Sequence, residues 1–295
     1  MDTEVTVYAY FTSTSDDNRV VRMTYDGTRL SKATPVLTGI PAAGNHNGGL
    51  VTIGPDDKLW IGTGEGGQPP RSQDRENLGG KILRLDLDGS IPDDNPFPGS
   101  PVYSLGHRNV QGLAFDSQDR PWAVEFGQNT WDELNRIEAG GNYGWPEVEG
   151  KQAAEGFIAP LVQWSTDEAS PSGMAIVDDV AYIGGLRGER LWQVPLTGTT
   201  TGPAKAYLKG EFGRIRNVVA APGGRCGSRP PTGTGAATRA TATTRSSDST
   251  CPRADQPRVR ATALVETSAA QGVSLEEGAA VSRNTFISRS PTMSG

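Results

Sequence analysis

A turn followed by a short aromatic strand recurs along this chain at intervals of about sixty residues. The aromatic residues are Trp60, Trp122 and Tyr182, and an Asp-containing turn precedes each of them. Between these units lie strands in which apolar and polar residues alternate, most clearly residues 83–87 before an Asp-Gly turn. Two interleaved strand types at a long, fixed period predict small sheets arranged radially, because each sheet buries its faces only against its neighbours. Periodicity alone leaves a β-sandwich as the alternative.

The composition agrees with one large all-β domain. Among 295 residues there are 38 Gly and 21 Pro, which favours short strands and tight turns over long helices. No stretch reaches the roughly 18 apolar residues that a membrane helix needs, so we expect no membrane span. The N-terminus has neither the basic nor the apolar region of a signal peptide, so we expect no export signal in the sequence as it stands.

The chain changes in character near residue 224. Residues 1–223 hold 19 of the 20 aromatic residues and carry 19 basic against 29 acidic groups, a net charge of −10. Residues 224–295 hold one aromatic residue, no lysine, nine arginines and five acidic groups, a net charge of +4. We therefore take 1–223 as the domain and 224–295 as a tail. The acidic domain has no basic stripe, which argues against nucleic acid as a partner.

Both histidines of the chain lie in loops rich in Gly or Asn. His46, in the string GNHNGG, could act as a general base, because an imidazole titrates near neutral pH. A surface histidine bonded to a backbone carbonyl is the simpler alternative. His107 precedes Arg108 and Asn109, and a guanidinium beside an amide suits a planar anionic ligand. A turn held by Asn and Gln side chains explains that cluster equally well.

Residues 125–133 combine three carboxylates with backbone carbonyls of a loop. Hard cations such as Ca²⁺ bind to oxygen ligands of this kind. The segment lacks the spacing of an EF-hand loop, so by itself it indicates calcium only weakly.

Taken in order, a series of longer motifs resembles the glucose/sorbosone dehydrogenase family, whose members are soluble quinoproteins. The resemblance extends to about residue 223. The motifs are HNGG at 46–49, GGKILRL at 79–85, IPDDNPF at 91–97, GHRN at 106–109, WDELN at 131–135, GNYGWP at 141–146, PSGMA at 171–175, GLRG at 185–188 and GRIRNV at 213–218.

The resemblance implies a six-bladed β-propeller that binds pyrroloquinoline quinone (PQQ) and Ca²⁺. Such an enzyme oxidises aldose sugars or related alcohols and passes the electrons to an external acceptor. His46 would take the proton from a sugar hydroxyl, and Arg108 would stabilise negative charge on the quinone. Other residues would contact the cofactor or lie near it: Asn109, Glu65, Arg187, Arg214 and Arg216. The main-chain carbonyls of Gly127 and Gln128 would bind Ca²⁺.

This sequence departs from the family at several positions. Leu50 stands where many relatives have Arg, Gln128 where Pro is common, and Asn45 where some relatives have an acidic neighbour of the base. The family's domain begins one blade before Val5, so we expect the first blade, with its polar contacts to the cofactor, to be missing. Relatives work outside the cytoplasm, which implies a periplasmic or extracellular protein.

Two other functions are alternatives to the dehydrogenase. A calcium-dependent sugar-lactone hydrolase on a propeller would have no use for the set Arg187, Arg214 and Arg216. A non-catalytic propeller that binds protein or glycan rests only on the generality of the fold. Binding of the quinone, followed by absorbance, separates the first alternative from the dehydrogenase.

The tail has the composition of a sequence read in the wrong frame. Pairing the third base of each codon with the first two bases of the next permits the string ALWVATSNRDGRGDPRDGDDQILRLD over residues 225–250. This string alternates as a strand, passes through an Asp/Gly-rich loop and ends in a strand like residues 82–86. We therefore expect a frameshift after about residue 223, a disordered tail, and a chain that is inactive or poorly folded alone. A genuine Thr/Ala/Arg linker is the alternative. We call the version carrying the second-frame string the frame-restored chain.

Overall fold

The computed structural model describes residues 5–221, 225–229 and 286–291. Apart from one short 3-10 helix, Pro69–Ser72, its regular elements are β-strands. No helix in this part of the chain is long and apolar enough to cross a membrane. The strands are β1 (Val5–Thr12), β2 (Asp17–Tyr25), β3 (Thr34–Pro41), β4 (Leu50–Ile53), β5 (Leu59–Gly62), β6 (Ile82–Leu85), β7 (Val102–Ser104), β8 (Val110–Phe115), β9 (Pro121–Glu125), β10 (Trp131–Arg136), β11 (Val162–Ser165), β12 (Pro171–Val177), β13 (Val180–Gly185), β14 (Leu191–Thr197), β15 (Thr200–Thr201), β16 (Lys205–Tyr207), β17 (Asn217–Ala221), β18 (Arg225–Arg229) and β19 (Phe286–Pro291).

Antiparallel sheets follow one another along the chain. The first has the order β19-β1-β2-β3, the second β4-β5-β6-β7 and the third β11-β10-β9-β8. The fourth contains β12, β13 and β14, with β15 and β16 both paired to β14, and β17 and β18 form a two-stranded sheet. The prediction of an all-β fold is therefore confirmed.

The aromatic residues that recur about every sixty residues mark successive sheets. Trp60 lies in β5, Trp122 in β9 and Tyr182 in β13, and each of these is the second strand of its sheet. The alternating segment at residues 83–87 begins in β6, the third strand of the second sheet. Each unit of about sixty residues is thus one meander of antiparallel strands with its connections.

The apolar core lies between successive sheets rather than in one central layer. One buried cluster joins Tyr8 and Val20 of the first sheet to Leu59 and Leu83 of the second. Further clusters join the second sheet to the third and the third to the fourth. The first strands of neighbouring sheets also contact one another, β4 with β8, β8 with β12 and β12 with β17. Each inner sheet therefore buries both faces against its neighbours.

The predicted tail lies mostly outside the described residues. The two parts that the structure describes are β18, which pairs with β17, and β19, which pairs with β1.

Candidate active site

Four connecting segments bring the residues predicted for the site together. His46 lies between β3 and β4, Glu65 between β5 and β6, Arg108 directly before β8, and Gly127 between β9 and β10. Two backbone hydrogen bonds join the first three segments: Glu65 N donates to Arg108 O at 3.0 Å, and Gly66 N donates to His46 O at 3.0 Å. The segments that carry these side chains thus hold one another directly.

Position 64 must be glycine for these segments to approach so closely. A Cβ on Gly64 would lie 2.0 Å from the carbonyl oxygen of His46 and 2.7 Å from Asn109 Oδ1. His46 itself has φ +52°, in the left-handed region that is unfavourable for a residue with a side chain. Strained backbone of this kind is concentrated at functional sites, where the surroundings enforce it.

His46 is held between a carboxylate and a guanidinium. Its Nδ1 lies 2.7 Å and 2.9 Å from the two carboxylate oxygens of Glu65, and Arg108 Nη2 donates to its Nε2 at 2.9 Å. The Glu65 side chain is 1% exposed, whereas that of His46 is 16% exposed. The structure therefore brings together three of the predicted site residues and leaves the imidazole accessible.

These contacts determine the protonation of the imidazole. A guanidinium has only donors, so Nε2 of His46 must accept, and a carboxylate accepts, so Nδ1 must carry the proton. The contact with Arg108 thus requires a neutral imidazole whose Nε2 lone pair accepts from the guanidinium. A histidine fixed in this tautomer by a carboxylate is ready to take a proton at its other nitrogen.

Arg108 occupies the centre of the site. Its Nη1 donates to the carbonyl oxygens of Phe126 at 3.2 Å and Gly127 at 2.5 Å, and its Nε donates to the Gln128 side chain at 2.9 Å. The guanidinium also lies over the Trp145 ring, 5.4 Å from the ring centroid. Burial lowers the pKa of Arg108, and the carboxylate of Glu65 opposes this shift. The side chain is therefore a fixed positive group facing the oxygens of two loops.

A buried network orients the backbone at Arg108. Glu125 accepts a hydrogen bond from Arg108 N at 2.7 Å and contacts His107 Nδ1 at 2.8 Å. The other ring nitrogen of His107 lies 2.8 Å from Ser104 Oγ. Because His107 is fully buried and both of its ring nitrogens have partners within the protein, it supports the site rather than taking part in it.

The Asn109 side chain joins two backbone segments in this structure. Its Oδ1 accepts from Gly48 N at 3.0 Å and from Gln111 Nε2 at 3.2 Å, so the side chain ties the His46 segment to the start of β8. The predicted contact between Asn109 and a cofactor stays a prediction.

An open pocket of about 380 Å³ adjoins the imidazole site. Arg108 and Arg187 line it together with backbone and side chains of the β9–β10 connection. Its full lining is Arg108, Phe126, Gly127, Gln128, Asn129, Asp132, Thr166, Asp167, Ser170 and Arg187. Volumes of this order are usual for small-molecule sites. The two guanidinium groups can donate to carboxylates or carbonyls of a ligand, and Asp132 and Asp167 line the same pocket.

The three predicted cofactor arginines differ in position. Arg187 lines the pocket and pairs with Asp167 at 2.6 Å, although the two side chains are 62% and 74% exposed. An ion pair so exposed contributes little to stability, so Arg187 can give up Asp167 and bind a ligand instead. Arg214 is exposed and Arg216 is partly buried, and neither lines the pocket. Their contacts with a cofactor stay predictions.

A cation site here would consist of carbonyl oxygens. Within the described ranges, no group of three or more His, Cys, Asp or Glu side chains could hold a metal ion. The carbonyls of Phe126 and Gly127 nevertheless converge on the positive Arg108 Nη1. Carbonyl oxygens are usual ligands of hard cations, but in this structure these two accept from the guanidinium. The binding of Ca²⁺ by the Gly127 and Gln128 carbonyls stays a prediction.

Glu149 is a residue that the sequence analysis missed. Its Oε1 accepts from Gln128 N at 2.8 Å and from Trp131 N at 3.1 Å, so it fixes the segment that carries the Gly127 and Gln128 carbonyls. It follows the GNYGWP motif by a few residues but belongs to no motif of its own, so spacing gave no indication of its role.

A buried carboxyl pair lies beneath this site. One amide nitrogen, Asn135 Nδ2, donates to Glu125 Oε1 and to Glu133 Oε2, both at 3.1 Å. Burial, and next the charge of Glu125, raise the pKa of Glu133 to about 8. The folded chain therefore holds a proton on this pair at neutral pH.

We expect Glu133→Gln to change how stability depends on pH. Between the ordinary glutamate pKa and about 8, the folded state binds a proton that the unfolded state has lost, so the free energy of unfolding falls as pH rises. Glu133→Gln should remove a decline of about 3 kcal/mol over this window. Urea unfolding at intervals of about one pH unit between pH 5 and 8 measures the free energy of unfolding and hence this decline. Glu147→Gln, which alters an exposed carboxylate, is the control, and an equal pH slope in both variants would contradict the assignment.

The fold and the site define an all-β protein with a carboxylate-oriented imidazole beside an open pocket that two arginines and two aspartates line. The model of the glucose/sorbosone dehydrogenase family matches residues 1–227, and the chain belongs to that family.

Curated relatives and solved structures agree with this membership. Quinoprotein glucose dehydrogenase B of Acinetobacter calcoaceticus is 41% identical over 150 residues, which are 43% of this chain and 31% of the relative. Aldose sugar dehydrogenase YliI of Escherichia coli is 30% identical over 233 residues, which are 69% of this chain and 62% of the relative. The chain thus spans less than two thirds of either relative.

The structural likeness extends to an enzyme solved with its cofactor. The PQQ-bound form of aldose sugar dehydrogenase from Streptomyces coelicolor has a TM-score of 0.75 and 53% sequence identity, covering 78% of this chain and 72% of that one. The predicted family is therefore confirmed.

Proposed function

We propose that this chain derives from a PQQ- and Ca²⁺-dependent dehydrogenase that oxidises aldose sugars or related alcohols on a six-bladed β-propeller. Family membership and the likeness to a PQQ-bound aldose sugar dehydrogenase support the proposal. The succession of four-stranded sheets, each packed against the next, supports the propeller. A periplasmic or extracellular place of work, and an external electron acceptor, belong to the same proposal.

The observation that carries the proposal is the position of the His46 imidazole between the Glu65 carboxylate and the Arg108 guanidinium. Its Nε2 lone pair faces the Arg108 guanidinium, and its Nδ1 proton faces the Glu65 carboxylate. A sugar hydroxyl would displace the Arg108 N–H from this lone pair and pass its proton to Nε2, and Glu65 would stabilise the resulting imidazolium. A proton on Nε2 would also break the contact with Arg108, because both groups would then be donors. Protonation of His46 thus releases the guanidinium toward negative charge that develops nearby.

The residues of the pocket fit the cofactor that we propose. PQQ is a planar quinone with several carboxylates, and the pocket presents guanidinium groups at Arg108 and Arg187. The carbonyls of Gly127 and Gln128 would hold Ca²⁺, and Gly127 O already faces a positive group. When bound, PQQ would supply the hydride acceptor and Ca²⁺ would polarise its carbonyl as a Lewis acid.

The test is reduction of an artificial electron acceptor by the frame-restored chain with PQQ and Ca²⁺, over a panel of sugars and alcohols. We expect reduction that needs sugar, PQQ and Ca²⁺ together. An absorbance titration with PQQ separates binding from turnover. A chain that turns over a sugar lactone and shows no absorbance change with PQQ would instead be the hydrolase.

We expect Arg187→Ala to weaken PQQ binding about tenfold, the effect of losing one charge-assisted contact. Asp167→Ala is the matched control, because it removes the present partner of Arg187 from the same pocket and leaves the guanidinium free. PQQ titrations in the presence of Ca²⁺ should show weaker binding in the first variant and no weakening in the second. An equal loss in both would mean that the ion pair supports the pocket rather than the ligand.

A further inference from the structure

Lys81 is a fully buried lysine that the proposed mechanism does not use. It directly precedes β6, and its side chain is 0% exposed. Its Nζ donates to the carbonyl oxygens of Arg71 at 2.6 Å, Gly79 at 2.8 Å and Ser72 at 3.0 Å. An ammonium group has three donors, so these carbonyls satisfy all of them.

A lysine in such surroundings is costly to keep. Lysine is almost never fully buried unless it is paired, and the bonds of this ammonium in the described part of the chain are to neutral carbonyls. Burial lowers the pKa of Lys81 to about 7, against the smaller opposing charge of Asp74. A methionine of similar length would fill the same space without this cost, so the ammonium serves to hold the three carbonyls.

The three carbonyls belong to the loop that carries the partner of His46. We call residues 63–81, which connect β5 to β6, the Glu65 loop. Thr63 N donates to Lys81 O at 2.9 Å, so the two ends of the loop are joined. Arg71 Nη1 donates to Glu65 O at 3.3 Å. The backbone of Lys81 thus joins the two ends of this loop, and its ammonium ties the end of the loop to the 3-10 helix.

The same loop holds the residues next to Arg108. Ser72 O accepts from Gly106 N at 2.9 Å, and Ser72 Oγ donates to His107 O at 2.7 Å. His107 N in turn donates to Gly80 O at 3.2 Å. One carbonyl that Lys81 binds, Ser72 O, therefore also accepts from the segment before β8, and another, Gly79 O, belongs to the residue before Gly80.

We propose that Lys81 is a positioning residue: its ammonium closes the Glu65 loop and fixes it against residues 106–107, so that Glu65 and Arg108 meet the two nitrogens of His46. The inference rests on the base role proposed for His46. Its readout needs no cofactor, however, so it can fail while the proposed function stands.

The test is the tautomer of His46 in the full chain, observed by NMR with ¹⁵N-labelled histidine. The chain has only two histidines, and loss of one set of ring signals in His46→Gln assigns them. In the unmodified chain, we expect His46 to show the shifts of a fixed Nδ1–H imidazole. In Lys81→Met, which removes all three donors, we expect these shifts to move to the averaged values of exchanging tautomers.

Two further variants keep the test decisive. Ile183→Ala, fully buried in β13, loosens a different sheet and should leave the His46 shifts unchanged. Ser72→Ala removes only the bond to His107 O and should move the shifts in the same direction as Lys81→Met, even if that variant does not fold. Unchanged shifts in Ser72→Ala and in folded Lys81→Met, or the same change in Ile183→Ala, would overturn the proposal.

Discussion

The frame-restored chain is expected to unfold about 10 °C above the unmodified chain, and to reduce dye where the unmodified chain does not. Among the described residues of the unmodified chain, β17 pairs with β18, Arg225–Arg229, in a two-stranded sheet. Such a sheet is marginal by itself, whereas the other sheets have four or more strands. The second-frame string offers a run of apolar residues, ALWVA, at 225–229 and a further strand near 245–250, which would extend this sheet.

The measurement is thermal unfolding of both chains, followed by the dye assay with PQQ and Ca²⁺. The matched control carries a scrambled version of the second-frame string, which has the same composition but no alternation. It should unfold with the unmodified chain and show no activity. An equal gain from the scrambled string, dye reduction by the unmodified chain, or an unshifted frame when the gene is resequenced near codon 224 would each refute the frameshift.

The sheets were predictable because their strand types recur. Turn residues and aromatic residues mark the second strand of each sheet, and burial of both faces against neighbouring sheets explains why that strand is apolar at Trp60 and Trp122. Periodicity could not show which strands pair, and it left a sandwich open. Pairings across the chain, such as β1 with β19, depend on contacts between residues far apart in sequence.

The site was predictable only where a motif carries it. His46 and Arg108 were found because their loops combine unusual residue types, and the structure places their side chains 2.9 Å apart. Lys81 lies within a quoted motif, GGKILRL, yet its role depends on bonds to backbone carbonyl groups. Every residue has such a group, so the sequence does not show which of them Lys81 binds. Glu149 was missed for the same reason, because its partners are backbone N–H groups.

Replacement of His46 by Gln in the frame-restored chain is expected to lower kcat by about 10²- to 10⁴-fold, the usual contribution of a general base. Glutamine keeps a polar group in the loop but cannot take the proton at Nε2. The affinity for PQQ should change little, because Arg108 and Arg187 rather than His46 line the adjoining pocket. Asn45→Ala, a change at an exposed residue of the same loop, should retain full activity. A loss in this variant would show that disturbance of the loop, rather than loss of the imidazole, lowers kcat.

Glu65→Gln then distinguishes the base from the group that orients it. Glu65 contacts Nδ1 of His46 and is buried, so its loss should cost less, about 10- to 100-fold, through a less well oriented imidazole. Initial rates over a range of sugar concentrations, with PQQ saturating, give kcat for the three variants. If Glu65→Gln abolishes turnover while His46→Gln retains it, the carboxylate is the base and the imidazole only positions it. A reaction that proceeds equally well without either side chain would contradict proton abstraction at this site, because the proposal places the transferred proton on His46 and its counter-charge on Glu65.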